Sequence, residues 1–165
     1  MIEKLQDLIS ALREELQQYG EMLARLDCHQ DLVMRRQTDN LLQSIAEIET
    51  QGGIIQTGRQ QREKCQRALA QFLGLSEHAT FAVMIPKLPE EYRPLLQALV
   101  QENNELLVRI QQRSRQNHLL LARMVQMMER FMGTLFPATS SPIYTQAGTV
   151  FGPAAAPRSL YEAVG

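Results

Sequence analysis

Apolar residues in the first 26 positions of the sequence recur at alternating steps of three and four. This spacing is the a/d pattern of a heptad repeat, and only a helix that packs lengthwise on another helix needs it. The residues of this seam are Ile2, Leu5, Ile9, Leu12, Leu16, Tyr19, Leu23 and Leu26. The pattern therefore predicts that the chain begins with a long helix packed against other helices.

The seam loses its phase after Leu26, and the change predicts a turn. Continued steps of three and four would require apolar residues at 37, 40 and 44, which are Gln, Asn and Ser. The apolar residues Leu41, Ile45 and Ile48 instead lie one position after this series. Residues 38–40 are Thr, Asp and Asn, whose side chains commonly cap helix N-termini. We therefore expect one helix to end and another to begin here.

Two antiparallel helices, over about 2–36 and 40–73, follow from a turn near Thr38. The pair Gly52–Gly53 is a rival position for the break, because each glycine costs a helix about 1 kcal/mol relative to alanine. Apolar spacing continues across the pair, which favours a point of close contact or flexibility over a turn. Gly74 is expected to end the second helix as a C′ glycine.

A connector over 76–89 is expected to precede a third helix. Its apolar run at 81–85 predicts a short helical turn that packs on the long helices, and Pro89 closes it. The third and longest helix is expected over about 91–135, because Pro94 is tolerated only in the first turn of a helix.

Asn103 and Asn117 interrupt the otherwise apolar seam of the third helix. A buried asparagine at an a position costs stability but fixes the register or the number of partners. An exposed helix face at these two positions explains the pattern equally well, so both interpretations remain open.

Composition changes after Phe136. Residues 137–165 are rich in Gly, Pro and Ala, which predicts a flexible tail that is disordered in isolation. The tail keeps separated apolar residues, which favours a tail that folds onto a partner over a plain spacer. The predicted fold is all-α: an elongated antiparallel bundle of three long, coiled-coil-like helices over 1–136, followed by a disordered or partner-ordered tail.

Charge and hydropathy exclude several classes of function. The net charge is −1 with interspersed signs, which argues against a nucleic-acid interface. No stretch approaches the roughly 18 uninterrupted apolar residues of a membrane span. The first 16 residues carry acidic side chains within the apolar run and lack a small-residue cleavage site, so no signal peptide is expected. These features predict a soluble cytoplasmic protein without membrane insertion.

Residues that could support catalysis or metal binding are sparse. Cys28 and Cys65 are too few for a disulfide framework or a metal set and are expected to be reduced. None of the three histidines lies in a metal-binding helix motif, and no phosphate-binding loop or nucleophile elbow occurs. Arg59 and Arg62 fall on the seam of the second helix, where they are expected to snorkel or to pair with a carboxylate rather than to bind a ligand. The sequence thus predicts no enzyme, no metal and no cofactor.

Motifs along nearly the whole chain resemble the FlgN family of flagellar type III export chaperones. The third helix carries the leucine, asparagine-rich centre and apolar pair of the long C-terminal helix of that family, here Leu99, Asn103, Asn104, Leu106 and Leu107. The tail segment PIYTQAGTV is similar to the family's Tyr-Gly-x-x-Gly motif, and RSLYEAV is similar to its closing Arg-Ser-Leu segment. The second helix also ends in the form typical of the family, with Arg59, Arg62, Gly74 and Leu75.

This resemblance implies a cytoplasmic bacterial chaperone without catalytic activity. Its clients would be the hook–filament junction (hook-associated) proteins, whose C-terminal helix it would bind to prevent premature assembly before delivery to the type III export gate. The family tyrosine thought to dock on the export gate corresponds to Tyr144.

Client binding is expected on the Met-rich end of the third helix and on the end of the tail. The expected client-binding residues are Met124, Met127, Met128, Phe131, Met132, Leu135, Leu160, Tyr161 and Val164. The same methionines would also suit a plain bundle core. An alternative function is a coiled-coil structural or scaffold protein that forms a homodimer through the first seam and has no export client.

Overall fold

The computed structural model describes residues 1–135, in which every regular element is helical. The α-helices are α1 (Ile2–Met34), α2 (Thr38–Phe72), α3 (Phe81–Met84) and α4 (Arg93–Leu135). Single turns of 3-10 helix lie at Ile85–Lys87 and Glu90–Tyr92. The predicted all-α class is confirmed for these residues, whereas the predicted tail, 137–165, lies outside them.

Contacts between Cα atoms divide the chain into two units, Met1–Arg123 and Met124–Gly165. The first unit contains α1, α2, α3 and α4 as far as Arg123. Of the second unit, the structure describes residues 124–135, which form the last turns of α4.

The buried face of α1 is wider than the predicted seam. Of that seam, the residues at 5, 9, 12, 19 and 26 are buried, those at 16 and 23 are half-buried, and Ile2 is 52% exposed. A second stripe at heptad spacing is also buried, and it consists of Leu8, Glu15, Met22 and His29. Contacts from both α2 and α4 reach α1, and a helix with two neighbours must bury two adjoining stripes.

The turn between α1 and α2 is a Schellman motif built on a non-glycine residue. Arg36 has a φ of 56°, and its N–H donates to the Val33 carbonyl oxygen at 3.2 Å. The N–H of Gln37 donates to the Leu32 carbonyl oxygen at 3.1 Å. The predicted capping by residues 38–40 is wrong, because Thr38 is already helical and no side chain caps α2.

Helix α2 runs antiparallel to α1 and is continuous through Gly52–Gly53. Residues later in α2 contact residues earlier in α1, as the pairs Ser44–His29 and Gln51–Gln18 show. A break at the glycines is therefore excluded. Within residues 1–135, close contact is excluded as well, because a Cβ atom at either glycine would meet no atom within 4 Å beyond the adjoining residues and the helix's own backbone.

Gly74 ends α2 as predicted. Its φ is 67°, and the N–H groups of Gly74 and Leu75 donate to the carbonyl oxygens of Gln71 and Ala70 at 3.0 and 2.9 Å. This is a complete Schellman motif, and glycine is favoured at its left-handed position.

The connector after Gly74 closes an apolar core at one end of the first unit. The core combines the start of α1, the end of α2, the connector and the start of α4. Its buried residues are Leu5, Leu8, Ile9, Leu12, Leu69, Ala70, Ala79, Met84, Leu88, Leu96 and Leu99. The expected packing of the run at 81–85 is confirmed in part, because Met84 is fully buried while Val83 is 50% exposed.

Helix α4 runs parallel to α1 in a register that two asparagines define. Asn103 Nδ2 donates to the Leu12 carbonyl oxygen at 3.1 Å, and Asn117 Nδ2 donates to the Leu26 carbonyl oxygen at 2.8 Å. Both asparagines are buried, so the exposed-face interpretation of these positions is excluded.

Candidate functional site

The last turns of α4 carry an exposed apolar surface, here called the α4 stripe. Its members lie three or four positions apart, so they share one face of the helix. They are Met124, Met127, Met128, Phe131, Met132 and Leu135. Met124 is half-buried, and the exposed fraction of the other five lies between 51% and 67%. Exposed apolar surface of this extent commonly marks a site of protein interaction.

The α4 stripe contains six of the ten residues that the sequence suggested for interactions. The remaining four, Tyr144, Leu160, Tyr161 and Val164, lie outside the described residues. The contribution of the tail therefore stays a prediction.

A buried ionic cluster lies between α1 and α2. The Glu15 side chain is 4% exposed, and its Oε2 atom lies 2.8 Å from Nε of Arg62. The Tyr19 hydroxyl donates to Oε1 of Glu15 at 2.8 Å and accepts from Nη2 of Arg59 at 2.9 Å. Of the two roles expected for Arg59 and Arg62, pairing with a carboxylate is the one observed.

Electrostatics in this cluster favour the neutral Tyr19 phenol and the charged Arg59 guanidinium. Burial raises the pKa of the Tyr19 phenol, because a phenolate would be poorly solvated beside Glu15. The hydrogen bond that Arg59 donates to the Tyr19 hydroxyl is the main cause that raises the pKa of the Arg59 guanidinium. The carboxylate has two cationic neighbours and one hydroxyl donor, so the arrangement is that of a structural ion pair rather than a proton-transfer site.

The burial of Glu15 and of His29, a histidine that is expected at the surface, was not indicated by the sequence, because apolar spacing passes over the polar members of a seam. Both lie at heptad distance from Leu8 and Met22, which is the signal that could have identified them. His29 Nδ1 lies 3.0 Å from the Ser44 hydroxyl, and burial lowers the pKa of the imidazole.

The connector and α4 also form an apolar groove of about 920 Å³ that the sequence did not indicate. Phe81, Ile85 and Pro86 line one wall, and Val100 and Val108 lie on α4 across from them. The groove belongs to the first unit.

Residues 1–135 contain no cluster of three or more His, Cys, Asp or Glu side chains that could hold a metal ion. No helix in this part of the chain is long and apolar enough to cross a membrane. Cys28 and Cys65 are both free, and burial raises the pKa of the Cys65 thiol.

Comparison with known proteins identifies one family. A family model described as "FlgN protein" matches residues 1–150, which is most of the chain. No curated protein and no solved structure matches the sequence.

Proposed function

The chain belongs to the FlgN family of flagellar export chaperones, and from this membership we propose that it chaperones hook-associated junction proteins. In this proposal it acts in the bacterial cytoplasm, where it binds the C-terminal helix of a client and prevents premature assembly. It then delivers the client to the type III export gate.

The observation that carries the client-binding part is the exposure of the α4 stripe. An amphipathic client helix presents apolar anchors at i, i+3, i+4 and i+7, and an apolar helix face such as this one offers the matching surface. Methionine side chains adapt to different partners, so one face can accept more than one client. Burial of each of these side chains contributes ~1.5–3 kcal/mol to the free energy of binding. Burial of several supports micromolar or tighter affinity, even after the entropy lost when the two partners become ordered is subtracted.

The alternative, a homodimeric scaffold that pairs through the first seam, has less support. Leu5, Leu12, Tyr19 and Leu26 of that seam are buried against α2 and α4 of the same chain. A dimer through this surface would require these helices to leave it.

Calorimetry with a peptide that contains the C-terminal helix of a hook-associated protein tests the proposal. The full-length chain should bind the peptide with one-to-one stoichiometry. The double variant Met127→Asp/Phe131→Asp should lose binding, because two charges on the α4 stripe would have to be desolvated in the complex. Both side chains are exposed, so the variant should remain folded.

Leu119→Asp is the matched control. Leu119 is 52% exposed, lies on the same helix and, by helical periodicity, points away from the α4 stripe. The control should bind as the wild type does. A folded double variant with wild-type affinity would contradict the assignment of the stripe as the client site.

Delivery is tested separately at Tyr144. A tyrosine offers a large rigid apolar surface and one hydroxyl with little rotamer entropy to lose, which suits a docking residue. Tyr144→Ala should weaken binding to the export-gate protein and lower secretion of junction proteins. The melting temperature and the client affinity should not change.

A Tyr144→Ala variant with lower stability or weaker client binding, and normal gate binding, would instead assign this tyrosine to the chaperone's own fold. Normal secretion by the variant would contradict both roles. Client and gate binding should therefore be measured on the same preparation.

A further inference from the structure

The two halves of α2 are held in the first unit by different kinds of contact. The second half contributes Leu69 and Ala70, both fully buried, to the apolar core. The first half, residues 38–51, is here called the α2 arm. Its buried residues are Ser44 and Gln51, which are both polar. The arm therefore gains less from the hydrophobic effect than the second half does.

Polar contacts join the α2 arm to α1. Ser44 pairs with His29, and Gln51 Nε2 donates to the carbonyl oxygen and to Oε1 of Gln18 at 3.1 and 2.7 Å. Arg25 and Glu47 form an ion pair at 3.1 Å, with side chains that are 38% and 48% exposed. Exposed pairs of this kind contribute at most about 1 kcal/mol.

Where it packs against the α2 arm, helix α1 is also bonded to α4, whereas among the described residues the arm is bonded to α1 alone. Asn117 and Arg113 of α4 bond to Leu26 and Asp27 of α1, at 2.8 and 2.6 Å. Within residues 1–135, no hydrogen bond or ion pair joins the arm to α4. Departure of the arm would thus leave α1 attached to α4.

The segment around the end of the arm, residues 50–57, is a poor helix. Gly52 and Gly53 lower helix stability, and no packing contact among the described residues requires them. The hydroxyls of Thr50 and Thr57 donate to the carbonyl oxygens of Ala46 and Gly53 at 2.8 and 3.1 Å. Such bonds to the preceding turn weaken and bend helices.

We propose that the α2 arm opens as a unit at Gly52–Gly53, while the rest of the first unit stays folded. A released helix as short as the arm is marginal in water, so the arm unfolds when it leaves α1. Opening uncovers the face of α1 around His29 without disturbing the apolar core. The fold thus contains a segment that unfolds locally, in an opening of the sub-global kind that hydrogen exchange detects.

Native-state amide hydrogen exchange on the full-length chain tests this inference. The amides of residues 42–51 should exchange faster than those of residues 63–72, with protection factors that are at least ten-fold lower. Gly52→Ala combined with Gly53→Ala should slow exchange in the arm by roughly five- to thirty-fold, which corresponds to about 0.5–1 kcal/mol for each glycine. A Cβ atom fits at both positions, so the double variant should fold.

Gly20→Ala is the matched control, since Gly20 is a helical glycine of α1 with equally open surroundings. Because α1 stays folded when the arm opens, this change should leave exchange in the arm unaltered. Equal protection in both halves of α2 would overturn the proposal, because the arm would then open only with the whole unit. An equal slowing of the arm by Gly20→Ala would overturn it as well.

Discussion

Asn103 and Asn117 lie two heptads apart on α4, and each donates to the carbonyl oxygen of the α1 residue 91 positions earlier. The Oδ1 atom of each is buried and accepts no hydrogen bond from the described residues. The two asparagines therefore fix the register of α4 on α1 at a cost in stability.

Asn103→Leu and Asn117→Leu should each raise the free energy of unfolding by about 1 kcal/mol. Leucine has nearly the shape of asparagine, and the carbonyl groups of Leu12 and Leu26 keep their own intrahelical hydrogen bonds. Urea denaturation checks the stability, and light scattering checks whether the loss of register control changes the oligomeric state. A loss of stability would show that the buried amides are net favourable.

Arg62→Met should lower the free energy of unfolding by about 3 kcal/mol, because the buried Glu15 carboxylate then keeps only the Tyr19 hydroxyl and the longer contact to Arg59, at 3.8 Å. The double variant Glu15→Met/Arg62→Met should recover most of that loss, since methionine fills the space without a charge. Additive losses in the double-mutant cycle would contradict the pairing.

Arg36→Gly and Gly74→Ala form a matched pair at the two Schellman turns. Both residues have positive φ, which costs a residue with a Cβ atom about 1 kcal/mol relative to glycine. The first change should therefore raise the melting temperature, and the second should lower it. Thermal denaturation followed by circular dichroism measures both shifts, and shifts of the same sign would contradict the turn geometry.

Acidification should destabilise the chain through His29. Burial lowers its folded-state pKa, so the unfolded chain binds more protons as the pH falls below the ordinary value of about 6.5. The stability contributed by the neutral imidazole is complete above that pH and decreases below it. Denaturant midpoints between pH 7 and 5 should fall more steeply for the wild type than for His29→Gln.

Ser44→Ala is the control for this effect. It removes the partner of the imidazole but keeps the titrating group, so its curve should retain the steep pH dependence. If His29→Gln and the wild type show parallel curves, His29 does not titrate differently in the folded and unfolded chains.

The helical class and the position of the first turn were accessible from the sequence because both rest on local spacing. The shift in phase between Leu26 and Leu41 was sufficient to place the end of α1 and the start of α2 near Thr38. The capping residues were misassigned because Arg36 adopts the left-handed conformation that glycine usually takes. No sequence pattern indicates that an arginine takes this left-handed conformation.

The polar interior was not accessible in the same way. Heptad spacing could mark Glu15 and His29 as buried, but their partners Arg62 and Ser44 lie on another helix, and no local pattern links the two members of either pair. The α4 stripe was indicated by its spacing, but the same spacing suited a bundle core, and only the structure shows these side chains exposed.

The parallel alignment of α1 and α4 has a mechanical consequence. Residues 1 and 123 lie at opposite ends of the first unit, and the rise of about 1.5 Å per helical residue separates them by roughly 45 Å along the axis. A force applied at these two points would slide α1 along α4, so the contacts between Leu12 and Asn103 and between Leu26 and Asn117 would bear load together. Force applied at residues 1 and 72 would instead separate α1 from α2 one contact after another, beginning at the apolar core. The first unit should therefore resist tension along its length better than tension across its hairpin.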